Sequence, residues 1–147
     1  MIYGDVIIYK FKEDIPKVDD EGKTLYDDEG NILVEVKERT LKLRYTAFTP
    51  IYYKNITARD LMQDMIKIGG LKKEITAELM FSEEGQEIID FIYNLVAAMI
   101  MSAEGSNHRD FEQIITTDLA SGVVWEVELI NEVVKLLDFG MKKKLHR

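Results

Sequence analysis

Two kinds of hydrophobic spacing divide the chain near Pro50. Ahead of it the signal is alternation: Ile7, Tyr9 and Phe11 form one set with Lys10 and Lys12 between them, the pattern of a strand with one wet face. Next comes Glu13 to Gly30, which carries Asp-Asp-Glu-Gly twice, at 19–22 and 27–30. Aspartate bonds nearby backbone amides and glycine tolerates positive φ, so this stretch is expected to form acidic loops around a short Thr24–Tyr26 piece. Ile32–Lys37 and Leu41–Ala47 read as two further strands, the second with Leu41, Leu43, Tyr45 and Ala47 on one face. A small antiparallel sheet follows, with no internal repeat and no low-complexity linker.

Beyond Thr49 the period becomes helical. Thr49 is expected to cap a helix that has Pro50 at its first position, making Ile51–Asn55 a short helical piece. Thr57 with Asp60 resembles a capping box, followed by Leu61, Met62, Met65 and Ile66 on one face and the stop Gly69–Gly70. An element over Leu71–Phe81 precedes a helix opened by Ser82, whose apolar residues Ile88, Phe91, Ile92, Leu95, Val96, Met99 and Ile100 cover most of its circumference. That makes it the central helix of the core. Asn107 is expected to cap a shorter helix with Phe111, Ile114, Ile115 and Leu119 inward. After Gly122 a last helix places Val123, Val127, Ile130, Val134 and Leu137 on one stripe, widened by Leu129, Val133 and Leu136, and ends at Gly140.

The pattern predicts an α+β fold: an N-terminal antiparallel sheet packed with a bundle of four to five helices. Its 147 residues suit one domain, with a β-rich segment (1–48), a helical segment (49–140) and a basic tail (141–147). A composition of 46% hydrophobic and 31% charged residues is that of a folded globular chain. With 27 acidic against 19 basic residues the formal charge is −8, which opposes binding to nucleic acid or to anionic membranes. Without cysteine there is no disulfide, thiolate metal site or cysteine nucleophile, and a reducing compartment fits. The start, MIYGDVIIYKFKED, lacks a basic leader, so the cytoplasm is the expected address. Ile88–Met101, interrupted by Asp90 and Asn94, is shorter than the roughly 20 apolar residues of a membrane span.

Candidate chemistry is sparse. Of the two histidines, His146 lies in the basic tail, while His108 stands near Asp110 and Glu112. Spacing of i to i+2 does not gather metal ligands on one side of a helix, although a small metal-dependent hydrolase at His108 and Asp110 is the catalytic alternative. The glycines form no phosphate-binding loop. Paired acids such as Asp27–Asp28 and Glu83–Glu84 fall at turns and helix starts, where facing carboxylates are not indicated. The lysines of MKKKLHR suit a helix end better than a nucleic-acid patch. Met62, Met65, Met99 and Met101 are expected mainly in the core, where an adaptable groove is the alternative role. No cofactor or metal is expected. Amphipathic helices on a small sheet without a reactive centre suggest a protein that works by binding another protein.

The stretch LKLRYTAFTPIYYKNITARDLMQDMIKI, residues 41–68, resembles the tail assembly chaperones of long-tailed phages and prophages of Gram-positive bacteria. Arg44, Thr46, Ala47, Thr49, Pro50, Tyr53, Asp60, Met62, Gln63 and Asp64 carry the resemblance: a strand ending near Thr-Ala-x-Thr-Pro, a tyrosine-bearing helix, then Asp-x-x-Gln-Asp. The order of later elements is similar as well. The resemblance implies a non-enzymatic cytoplasmic protein, absent from the finished virion, that coats the tape measure protein and helps recruit tail tube protein. In such families a longer frameshifted product is frequent, and an adenine-rich stretch encoding Lys142–Lys144 would suit one. Tyr53, Met62, Met65 and Trp125 are the residues expected to meet a partner, with self-association a further expectation. The competing reading is another phage or bacterial structural or adaptor protein of unknown partner, such as a subunit that persists in the virion.

Overall fold

In a computed structural model of the chain, the described residues are 5–69, 78, 81–120, 122–126 and 128–133. They confirm an α+β fold. Strands β1 (Val6–Pro16) and β2 (Val34–Arg44) form a two-stranded antiparallel sheet. Helices α1 (Thr49–Thr57), α2 (Leu61–Gly69), α3 (Glu83–Glu104) and α4 (Phe111–Thr117) follow. A 3₁₀ turn at Val123–Trp125 and a helical stretch at 128–133 come after them. The chain gathers into two compact units, one of residues Lys10–Thr40 and the other of Met1–Tyr9 with Leu41–Arg147.

The second unit holds the helical core. Along β1 and β2 the alternating residues Tyr9, Leu41 and Leu43 are buried, as the two-residue period requires. The expected strands Ile32–Lys37 and Leu41–Ala47 are in fact one: β2 continues through Glu38, Arg39 and Thr40. Polar residues do not interrupt a strand whose faces are both wet, and a cross-strand ion pair between Arg39 and Glu13 (3.4 Å) assists there.

Helix α3 is the central element. Ser82 caps it, its side chain accepting from the Gly85 amide at 3.1 Å, and Ile92, Leu95, Val96 and Met99 are completely buried. By length and composition alone α3 is sufficient to cross a bilayer, longer than its apolar run suggested, yet 67% of its apolar window is buried inside the protein. Tyr53 of α1 packs its ring edge-on against Phe91 of α3, centroids 5.9 Å apart.

Three helix starts differ from expectation. Thr49 does not cap α1; Phe48 occupies the cap position without a side-chain bond. The Thr49 hydroxyl instead accepts from the Thr46 amide (2.9 Å) and meets Ser102 of α3 at 2.7 Å, with both residues buried. Thr57 closes α1 rather than opening α2: its hydroxyl donates to the Tyr53 carbonyl and accepts from the Arg59 amide, and Asp60 receives the Gln63 amide at 3.2 Å. Between the two helices Ala58 takes the left-handed conformation, φ 60°, its amide bonded to the Lys54 carbonyl. Asp110, not Asn107, caps α4 in a complete capping box with Gln113. The expected last helix from Val123 is broken at Glu126, which is extended, before residues 128–133 become helical. Gly70, most of the element expected over Leu71–Phe81, the stretch Val134–Gly140 and the basic tail lie outside the described residues.

The unit Lys10–Thr40 contains a structural repeat where the sequence suggested none. Asp19 and Asp27 each anchor an identical turn: the Asp19 side chain accepts from the Glu21 and Lys23 amides, and the Asp27 side chain accepts from those of Glu29 and Asn31, all at 2.9 Å. Gly22 and Gly30 close the turns at φ 83° and 85°, where a β-carbon would be strained. Each turn joins a short antiparallel pair, Val18 with Thr24 and Tyr26 with Ile32. Three residues eight apart, Lys17, Leu25 and Leu33, then bond in a closed ring: the Lys17 amide to the Leu33 carbonyl (2.8 Å), Leu25 to Lys17 (2.9 Å) and Leu33 to Leu25 (3.0 Å). The result is a three-way junction. Two tight hairpins and the β1–β2 pair radiate from one ring of backbone bonds.

Candidate functional site

The expected acidic loops of 13–30 are thus ordered hairpins, and their chemistry is modest. Amides of Asn31 and Glu29 hold the Asp27 carboxyl below the usual aspartate range. Among the described residues no three His, Asp or Glu side chains converge as a metal site would require. The His108 Nδ1 lies 2.7 Å from the Arg109 carbonyl, and its ring meets Tyr52.

Polar side chains near α3 are committed to one another. The Arg109 guanidinium bonds Glu104 and Asp118, at 2.6 Å each from Nη2, which fastens the loop after α3 to the end of α4. That contact holds the Glu104 carboxyl below its ordinary range and raises the guanidinium's affinity for its proton. A cleft of about 110 Å³ is lined by Arg59, Asp64, Lys67, Ile68, Glu87, Asp90 and Phe91. Four of its charges are paired, Arg59 with Asp64 (3.0 Å) and Lys67 with Glu87 (3.6 Å), with Asp90 beside them. At its edge the Tyr53 hydroxyl donates to Asp64 at 2.5 Å, and burial followed by this bond pushes the phenol up to about 12.

The surface with the clearest potential for contact lies instead at the start of α1. Phe48 and Ile51 are 60% and 53% exposed. Phe48 stacks on Tyr52 with centroids 6.2 Å apart, and Tyr52 meets His108 edge-on at 4.6 Å. An aromatic row therefore runs from Phe48 through Tyr52 to His108, with Ile51 beside it. Helical spacing of three and four residues places Phe48, Ile51 and Tyr52 on neighbouring turns of one face. The Thr46–Thr49–Ser102 bonds fix the entry to this helix, so the row is mounted on the buried central helix.

The residues expected to meet a partner fare differently. Tyr53 is fully buried and Met65 is 4% exposed, so in this conformation both serve the core. Met62 is half-buried on α2, and Trp125 lies in the 3₁₀ turn after Gly122, its side chain outside the described set. Phe48 and Ile51, which sequence reasoning passed over, carry the exposure. A helical period read from Thr49 does mark Tyr53 as inward, and the two apolar residues out of phase with it were the available signal. Comparison of the chain with protein-family models, with curated proteins and with solved structures finds no match.

Proposed function

We propose that this protein is a non-enzymatic tail assembly chaperone, which binds the tape measure protein, keeps it soluble in the host cytoplasm and helps recruit tail tube subunits. The observation carrying this reading is the row of exposed Phe48 and Ile51 with half-buried Tyr52, mounted within the segment 41–68 that resembles such chaperones. A tape measure protein is a long helical chain whose apolar stripes aggregate if left bare. Apolar side chains presented three and four residues apart fit such a stripe, and hot-spot aromatic groups supply most of the binding energy in contacts of this kind. The net charge of −8 favours solubility of the resulting complex.

The test is co-expression with the tape measure protein of the same phage or prophage, followed by low-salt purification. Wild-type protein is expected to retain the tape measure protein, and the Phe48→Ser/Ile51→Ser variant, checked for folding by circular dichroism, to lose it. Failure of the wild type to retain it removes the proposal. Detection of this chain in finished virions by mass spectrometry favours a structural subunit instead.

A further inference from the structure

The three-way junction of residues 10–40 leaves one of its faces uncovered and apolar. Side chains of directly opposed residues in antiparallel pairs lie on the same side, and neighbours along the chain lie on the other. Lys17, Leu25 and Leu33 form the ring, so the pairs one step outside it, Val18 with Thr24 and Tyr26 with Ile32, share the opposite face. β1 and β2 have equal lengths of 11 residues and pair end to end, which sets Pro16 opposite Val34 on that face too. Val36, two residues on, joins them. Exposures agree: Val18 56%, Tyr26 60%, Ile32 50%, Val34 46% and Val36 58%. An apolar face gathered this densely on a small unit is the mark of an interaction surface rather than of scattered surface residues.

Its rim is acidic. The hairpin turns carry Asp19, Asp20, Glu21, Asp27, Asp28 and Glu29, against Lys17 and Lys23 in the same stretch. Two copies stacked through this face would bring like-charged turns together, which disfavours a second copy. Nucleic acid and anionic lipid are opposed by the same sign. An apolar centre within an acidic rim is complementary to a polypeptide segment that carries apolar residues flanked by lysine or arginine. We propose that the junction face of residues 10–40 docks a basic amphipathic segment of a partner protein. The proposal is independent of the row on α1 and of the tail-assembly reading, since it concerns a different unit and a partner defined by charge.

The probe is a short fluorescein-labelled amphipathic peptide of leucine and lysine, titrated against the full chain by fluorescence anisotropy, with a leucine–glutamate peptide as control. The lysine peptide is expected to bind, and Tyr26→Ser/Ile32→Ser to weaken it by about tenfold or more. Since that variant can disturb the junction, a second one neutralises the rim: Asp20→Asn/Asp28→Asn/Glu29→Gln leaves the turn-forming oxygens of Asp19 and Asp27 in place. It is expected to weaken binding and to flatten the salt dependence between about 50 and 300 mM. Equal affinity for the glutamate peptide, or binding that neither variant alters, overturns the proposal. So does a sedimentation dimer abolished by Tyr26→Ser, which would assign the face to a second copy. Peptide affinity that rises when residues 141–147 are removed would give the face to the chain's own lysine run and overturn it equally.

Discussion

Replacing Thr49 by valine keeps the branched shape of the side chain and removes a single oxygen. That oxygen accepts from the Thr46 amide at 2.9 Å and lies 2.7 Å from the Ser102 hydroxyl, which in turn donates to the Ala98 carbonyl at 3.0 Å. With one proton per hydroxyl, the arrangement that keeps the two shorter bonds is a directed chain: Thr46 amide to Thr49, Thr49 to Ser102, Ser102 to Ala98. Valine strands the Thr46 amide and leaves a methyl group facing the Ser102 oxygen. A stranded donor costs about 1–3 kcal/mol and each lost bond adds a net contribution of about 1 kcal/mol, so Thr49→Val is expected to cost about 2–3 kcal/mol. Ser102→Ala is milder, about 1 kcal/mol, because the Thr49 proton has the Arg44 carbonyl at 3.4 Å as an alternative acceptor. Once Thr49 is valine, losing the serine oxygen removes a group already deprived of its donor, so the double variant falls short of additivity by about 1 kcal/mol. Urea unfolding followed by circular dichroism measures all three, with equal m-values as the check that the denatured states match. Full additivity, or a Ser102→Ala cost equal to that of Thr49→Val, refutes the directed chain.

The buried phenols give a titration signature. Tyr9, raised to about 12 by burial and then by the adjacent Glu126, and Tyr53, raised to about 12 by burial and its bond to Asp64, are expected to ionise well above the free-tyrosine range in absorbance at high pH. Their raised folded-state values mean that the stability they add is complete below the ordinary tyrosine range and declines as pH rises toward 12; a single absorbance transition at the free-tyrosine value would contradict it. Arg109→Met is expected to cost about 1 kcal/mol at neutral pH, a modest figure because the clamp is partly exposed. The lowered Glu104 value makes that cost largest above the ordinary glutamate range and smaller as acid protonates the carboxylate; a difference that grows on acidification would exclude this clamp as its source. Backbone sign provides the last pair: Ala58→Gly is expected to raise stability by about 0.5–1 kcal/mol by relieving φ 60°, and Gly30→Ala to lower it by about 1–2 kcal/mol at φ 85°. Matching denaturation curves for both would count against conformational strain at either position.

What the sequence made legible follows from which groups compete for each role. Alternation exposed β1, and a helical stripe exposed α3, because burial acts on every residue of those elements in the same way. Helix starts were harder. Thr49, Thr57 and Asn107 all have the chemistry of a cap, and choosing among them requires knowing that Ser102 claims the first, the end of α1 the second, and that Asp110 with Gln113 forms a complete box. The eight-residue repeat was concealed for a related reason. Its Asp-Asp-Glu-Gly turns were visible as turns, but the ring of Lys17, Leu25 and Leu33 consists of backbone bonds, which leave no mark on side-chain type. Tyr53 was placed in the candidate site alongside the resemblance it helps to carry, while its position relative to Thr49 already turned it toward α3.

The distribution of satisfied and unsatisfied surface bears on what the fold is for. Among the described residues every buried polar side-chain atom has a hydrogen-bond partner, down to the Thr49–Ser102 contact inside the core. Large apolar side chains are nevertheless left exposed: Val18, Tyr26, Ile32, Val34 and Val36 on the junction face of residues 10–40, Phe48 and Ile51 at the entry to α1, and Val6, Ile8, Leu25, Leu33, Ile66 and Phe81 elsewhere. A sequence that had merely failed to bury its apolar residues would be expected to leave buried polar groups unpaired as well, since both defects come from imprecise packing. Here the defects are separated: among the described residues the buried polar groups are paired, and much of the apolar exposure falls on segments held by identified bonds. The junction is closed by three backbone bonds, and the α1 row is braced by Thr49 and His108. Rigid mounting lowers the entropy lost when a partner docks, so two such surfaces on separate units suit a protein that holds one partner by shape and another by charge.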